Sequence, residues 1–132
     1  MAGDHRRALG RRGEDLAATH LRRHGWRIVE RNFRTREGEI DLIATRRGTL
    51  AFCEVKTLIA RREPPASGPA DPVESVGPAK RIQVRRMARA WLADGGEDNR
   101  PPRHHCVRID VIGVSLAPDG TLLRLEHLES AF

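Results

Sequence analysis

Asp41, Glu54 and Lys56 are the residues of this chain whose types and spacing suit metal-assisted chemistry. They fall in GEIDLIATRRGTLAFCEVKT, residues 38–57, which reads as two apolar strands around an Arg46-Arg47-Gly48 turn. Side chains alternate across a strand, so Glu39 and Asp41 share one face and Glu54 and Lys56 share one face of the next strand. Ile40, Leu42, Ala51, Cys53 and Val55 take the opposite positions and are expected to pack against a helix. Neighbouring carboxylates repel and raise each other's pKa. A hard divalent cation relieves that conflict, and Mg²⁺ or Mn²⁺ at Asp41 and Glu54 is the expected cofactor, with the Val55 carbonyl as a further oxygen. A lysine at the edge of such a site orients or deprotonates a water, or stabilises charge in the transition state. Its compact ammonium with a tunable pKa suits that role better than guanidinium. The competing reading is a surface hairpin with cross-strand Glu–Lys pairs.

The elements that must position these residues are legible from periodicity. Leu9, Gly13, Leu16, Ala17 and Leu21 predict a helix over 7–24, ended by Gly25. Glu14 borders the apolar stripe of that helix. Strands are expected at 26–33, 39–45 and 49–56, joined by turns too short for crossovers, hence antiparallel. Residues 58–77 hold repeated Pro and Gly and are expected to form a mobile loop. A second helix runs from Pro78 to Ala93, with Val84, Met87, Ala88 and Trp91 as its apolar face. Strands at 105–114 and 121–127 close the order α-β-β-β-α-β-β. A single α/β domain follows, a mixed sheet flanked by helices.

Composition points to a polyanion. Net charge is +6 and the pI is 10.8. Lys56 and Lys80 are the only lysines among 24 basic residues, so a lysine at either position is informative. Arg81, Arg85 and Arg89 repeat at helical spacing, and with Lys80 they are candidates for phosphate contact; a solvated basic face is the other reading. Five aromatics and no tyrosine give little material for stacking single strands, so backbone and shape recognition of DNA fits better. No apolar run is long enough for a membrane helix, and MAGDHRRALGRRGED has no apolar stretch behind it, so a cytoplasmic protein without a membrane partner is expected.

Wider motifs carry a family resemblance. Asp41 followed by Glu54-Val55-Lys56 resembles the D…ExK signature of PD-(D/E)XK nucleases. Gly10-x-x-Gly13-Glu14, Asn32-Phe33-Arg34, Gly38-Glu39-Ile40-Asp41-Leu42-Ile43 and Phe52-x-Glu54-Val55-Lys56-Thr57 are similar to the YraN family of nuclease-like bacterial proteins. Lys80, Ala90, Leu92, Arg108-x-Asp110-Val111 and Ala131-Phe132 extend the match. One departure is Leu58, where relatives often carry a basic residue. That family is similar to archaeal Holliday-junction resolvases. The resemblance implies a restriction-endonuclease-like fold, Asp41 and Glu54 as metal ligands, Lys56 as the catalytic lysine and Glu14 as an additional acidic residue. It implies a metal-dependent DNA endonuclease, acting on branched or damaged DNA. A resolvase that cuts two strands symmetrically requires a homodimer. The alternative is a non-catalytic module on the same fold that binds nucleic acid or a partner.

Weaker candidates lie elsewhere. His20 and His24 have chelating spacing but no evident third ligand. His104-His105-Cys106 lacks a second cysteine pair. Cys53 and Cys106 read as small buried thiols, and Asp110 as an ion-pair partner of Arg108.

Overall fold

Helical spacing of apolar residues builds α1, Ala2–Arg23, in the computed structural model, which describes residues 2–60, 77–94 and 100–131. The helix begins before the expected residue 7. Gly25 ends it with φ +86°, a conformation that glycine adopts without a Cβ clash. The Gly25 N–H donates to the Arg22 carbonyl and the Trp26 N–H to the Leu21 carbonyl, the paired bonds of a Schellman cap.

The chain then makes an antiparallel meander: β1, Arg27–Thr35; β2, Gly38–Arg46; β3, Thr49–Ile59. After α2, Pro78–Asp94, β4, Cys106–Leu116, returns parallel to β3, and β5, Leu122–Leu128, turns back antiparallel. The sheet order is β1-β2-β3-β4-β5, with the element order α-β-β-β-α-β-β that the sequence predicts.

Each sheet face has its own core. Leu9, Ala17, Ala18 and Leu21 of α1 pack on Leu42, Ala44, Ala51, Cys53, Ile112 and Val114. Val84, Met87, Ala88 and Trp91 of α2 pack on Ile40, Ile43, Leu50 and Phe52, with Phe52 edge-on to Trp91 at 5.6 Å. The face assignment read from alternation is corrected at one residue. Leu42, Ala51, Cys53 and Val55 do face α1, but Ile40 lies in the α2 core. Alternation breaks across Asp41, where the β2–β3 ladder ends. That ladder runs from Arg46 opposite Thr49 only as far as Leu42 opposite Cys53.

The expected loop at 58–77 also starts later than predicted. Leu58 and Ile59 continue β3, held opposite Ser115 and Leu116 of β4. Residues 61–76 of that segment lie outside the described residues. Cys53 is buried and Cys106 only half-buried, both as free thiols.

Candidate metal centre at the β2–β3 fork

Where β2 and β3 part, backbone groups lose their ladder partners. Asp41 fills the gap: its Oδ2 accepts a hydrogen bond from the Val55 N–H at 2.7 Å. A carboxylate in place of a strand carbonyl therefore caps the open end of the ladder. Asp41 is buried, and Glu54, on the neighbouring strand β3, is nearly so.

The helix α1 brings a third acid to the fork. Gly13 permits this, because a Cβ on it would lie 2.0 Å from Thr57 Oγ1 of β3. With no side chain at Gly13, α1 approaches the sheet closely and Glu14 reaches the acids of β2. Carboxylate oxygens of Glu14, Glu39 and Asp41 lie within 4.8 Å of one another. Among the described residues this is the one group of three His, Cys, Asp or Glu side chains so arranged.

Burial and crowding set the protonation. Burial, then the charges of Asp41 and Glu39, push the Glu14 carboxyl up to about 7. Burial, then the charge of Glu54, push Asp41 up to about 7 against the Val55 hydrogen bond. Glu54 is raised by burial, with Lys80 and Lys56 opposing. Cation binding or protonation are the two ways such a cluster relieves its repulsion.

Glu54 and Lys56 lie on the strand face toward α2. Lys80 Nζ of α2 is 3.4 Å from Glu54 Oε1, while Glu54 Oε2 is buried without a hydrogen-bond partner. Lys80, expected on phosphate, is thus the partner of a site carboxylate. Lys56 is half-buried and sits opposite Gly113 of β4. The side chain of Val55 packs on the α1 core while its N–H serves Asp41.

Two participants were not legible as such. Glu39 joins the cluster and also pairs with Arg34 at 3.2 Å. Its signal was the shared strand face with Asp41. Asn32 of β1 has φ 54°, rare for a residue with a side chain. With its amide nitrogen turned to the acids, it donates to Glu39 Oε1 at 2.6 Å and Glu14 Oε2 at 3.3 Å. Arg7, Arg11, Arg34, Glu14, Asn32 and Glu39 line a surface groove of about 580 Å³. Arg85 and Arg89 of α2 are exposed and Arg81 is half-buried.

Residues 13–114 match the family described as Uncharacterised protein family UPF0102. The chain belongs to the UPF0102 family. It is 42% identical to a UPF0102 protein of Frankia casuarinae over 95% of this chain and 96% of that one. It is 49% identical to one of Streptomyces griseus over 83% of each, and 43% identical to one of Geobacter sulfurreducens over 97% of this chain and 91% of that one. The YraN resemblance and this match agree at the level of the family. The matched segment of the UPF0102 chain holds Glu14, Glu39, Asp41, Glu54, Lys56 and Lys80.

The remaining candidates of this UPF0102 chain take structural positions. Asp110 is fully buried, pairs with Arg108 at 2.9 Å as expected, and also accepts from His127 at 2.7 Å and the Ser130 N–H at 2.9 Å. Burial pushes its pKa up, but these bonds outweigh burial and hold it below the usual range. Arg108 in turn lies 5.2 Å from the centroid of the Trp26 ring. His20 and His24 stack at 4.2 Å, with His127 6.2 Å from His20. His104 bonds the Pro102 carbonyl and His105 lies against Gly48. Among the described helices none is long and apolar enough to cross a membrane.

Proposed function

We propose that this protein is a metal-dependent DNA endonuclease with its centre at the β2–β3 fork. One observation carries the reading: Glu14, Glu39 and Asp41 converge within 4.8 Å, and Glu14 and Glu39 also line a groove with Arg7, Arg11 and Arg34. An acidic centre beside arginines is the charge pattern a phosphodiester backbone needs. Cations face the phosphates, and carboxylates hold what neutralises the scissile group.

The donor set fits a hard cation. It offers carboxylate oxygens, one of which, Glu54 Oε2, is buried with no protein partner. Asp41 and Glu54 would hold Mg²⁺ or Mn²⁺, with the Val55 carbonyl as a further oxygen. When bound, the ion supplies Lewis-acid neutralisation of phosphate charge and a more acidic water. The chain's own residues do the rest. Arg7, Arg11 and Arg34 bind phosphates. The Glu14 carboxylate, beside Asp41, would accept a proton from the attacking water. Lys56 presents a compact ammonium from the same strand face as Glu54 to orient that water. Asp41 is held in place by the Val55 N–H.

The second reading is a non-catalytic nucleic-acid-binding or partner-binding module. The pairs Lys80–Glu54 and Arg34–Glu39 favour it, because they partly neutralise the acids without any metal ion. A cleavage screen separates the two. Duplex, nicked, flapped, single-stranded and four-way DNA are incubated with Mg²⁺ and with Mn²⁺. Cleavage that Asp41→Asn abolishes and Lys56→Arg impairs supports the endonuclease. Binding without cleavage of any of these supports the module. Full activity of Lys56→Arg removes the specific role of the ammonium.

A further inference from the structure

Glu54 is held at one oxygen and open at the other. Its Oε1 meets Lys80 Nζ at 3.4 Å, and its Oε2 is buried without a partner. The Glu54 side chain is 13% exposed, whereas Lys80 is 36% exposed and reaches in from the first turn of α2. The two residues belong to elements that meet only through the tertiary fold, since Lys80 lies on α2, within the connection between β3 and β4. The pair is therefore not a local hairpin contact. Carboxylates that ligate metals are commonly oriented by a hydrogen bond at the oxygen the metal does not use.

We propose that Lys80 is a positioning residue of the centre: it fixes Glu54 through Oε1 so that Oε2 is presented to a divalent cation. This inference rests on the metal-binding reading above and assigns α2 a part in it. It also gives the two lysines of the chain distinct tasks, Lys56 toward the reacting water and Lys80 toward a ligand. The rival role is a counter-ion that occupies the cation's place and must leave when the cation binds. The two roles predict opposite signs.

The test is Mn²⁺ binding by titration calorimetry on the full chain, without DNA. Wild type, Lys80→Met, Lys80→Arg and Asp41→Asn are compared, with circular dichroism confirming the fold of each. Loss of the outer partner of a ligand weakens metal binding about 10–100-fold, and this is expected for Lys80→Met. Lys80→Arg keeps a donor at Oε1 and should bind Mn²⁺ more tightly than Lys80→Met. Asp41→Asn should lose binding. If wild type binds and Asp41→Asn does not, but Lys80→Met binds equally or more tightly, Lys80 is a competing counter-ion and the proposal is overturned. If Lys80→Met does not fold, Lys80→Gln replaces it under the same criterion. If wild type itself binds no Mn²⁺, the metal-centre reading falls first and this role falls with it.

Discussion

Gly13 of α1 lies against Thr57 of β3, so close that a methyl group on Gly13 would sit 2.0 Å from the threonine hydroxyl oxygen and 3.1 Å from its Cβ. Thr57 follows Lys56, and Glu14 follows Gly13. One contact between a glycine and a threonine thus sets the distance between the helix acid and the strand that carries Glu54 and Lys56.

Gly13→Ala should force α1 away from the sheet. Overpacking of this kind costs about 1–3 kcal/mol, read as a lower urea midpoint, and should carry Glu14 away from Asp41. Thr57→Ala on that background removes the nearest atom and should recover part of the loss. Gly10→Ala, one turn earlier, meets nothing within 4 Å and should stabilise the helix by about 0.5–1 kcal/mol. Equal effects at the two glycines would mean that close packing at Gly13 is not what holds the helix in place.

Local rules carry most of the architecture. Apolar spacing from Leu9 to Leu21, the turn at Arg47-Gly48 and Pro78 at a helix start each depend on a few neighbouring residues, and all fold as read. What escaped depends on distant pairing. Ile40 changes faces because the β2–β3 ladder stops at Leu42, and no local pattern marks where two strands part. Leu58 and Ile59 stay extended because β4 pairs with them, although a Pro-rich stretch follows directly. Within the site, Asp41 and Glu54 declared themselves by type and spacing. Lys80 did not, because its partner lies on another element and its own helix reads as a basic stripe. His127 meets Asp110 only through the β4–β5 register, so sequence offered Arg108 alone.

The acids of the fork should make metal-free stability depend on pH in an unusual direction. Glu14 rises from an ordinary 4.5, and Asp41 from 3.8, each to about 7 in the folded protein. The folded state therefore binds protons more tightly than the unfolded chain. Their contribution is full below the unfolded values and is lost as pH rises through about 7. Asp110 runs oppositely, since its lowered pKa contributes stability that fades only in acid. Urea unfolding in chelator should give higher stability at mildly acidic pH than at pH about 8, and Mg²⁺ should restore the loss on the alkaline side. A curve in chelator that rises from mildly acidic to alkaline pH would contradict the crowding of Glu14 and Asp41.

Two buried aspartates should respond to the same substitution with opposite signs. Asp110 accepts hydrogen bonds from Arg108, His127 and the Ser130 N–H, so Asp110→Asn takes from the Arg108 guanidinium its closest carboxylate. Breaking a buried pair costs about 3–5 kcal/mol. Asp41 is repelled by Glu54 and Glu39 and keeps one hydrogen bond, which asparagine's oxygen can still accept. Asp41→Asn in chelator at alkaline pH should therefore be as stable as wild type or more so. Mg²⁺ should stabilise wild type and leave Asp41→Asn unchanged. Marked destabilisation with an unchanged Mg²⁺ response would make Asp41 a structural ion-pair member and remove it from the metal centre.

Two arginine surfaces are candidates for the phosphate backbone of the proposed DNA substrate, and salt dependence can tell them apart. Arg7, Arg11 and Arg34 line the groove that Glu14 and Glu39 also line. Arg81, Arg85 and Arg89 run along α2, whose Lys80 is engaged with Glu54. A substrate whose scissile phosphate sits at the fork must place its neighbouring phosphates in the groove. The groove triple substitution to alanine should then cost more affinity than the α2 triple. Each lost phosphate contact lowers the slope of log K against log salt by about 0.9, so the groove triple should lower it by up to about 2.7. The measurement is fluorescence anisotropy on duplex DNA across a salt series in chelator, so that no strand is cut. An unchanged slope in the groove triple, with a reduced slope in the α2 triple, would move the DNA path onto α2. Unchanged slopes in both would leave the basic charge of both surfaces as a solvated one.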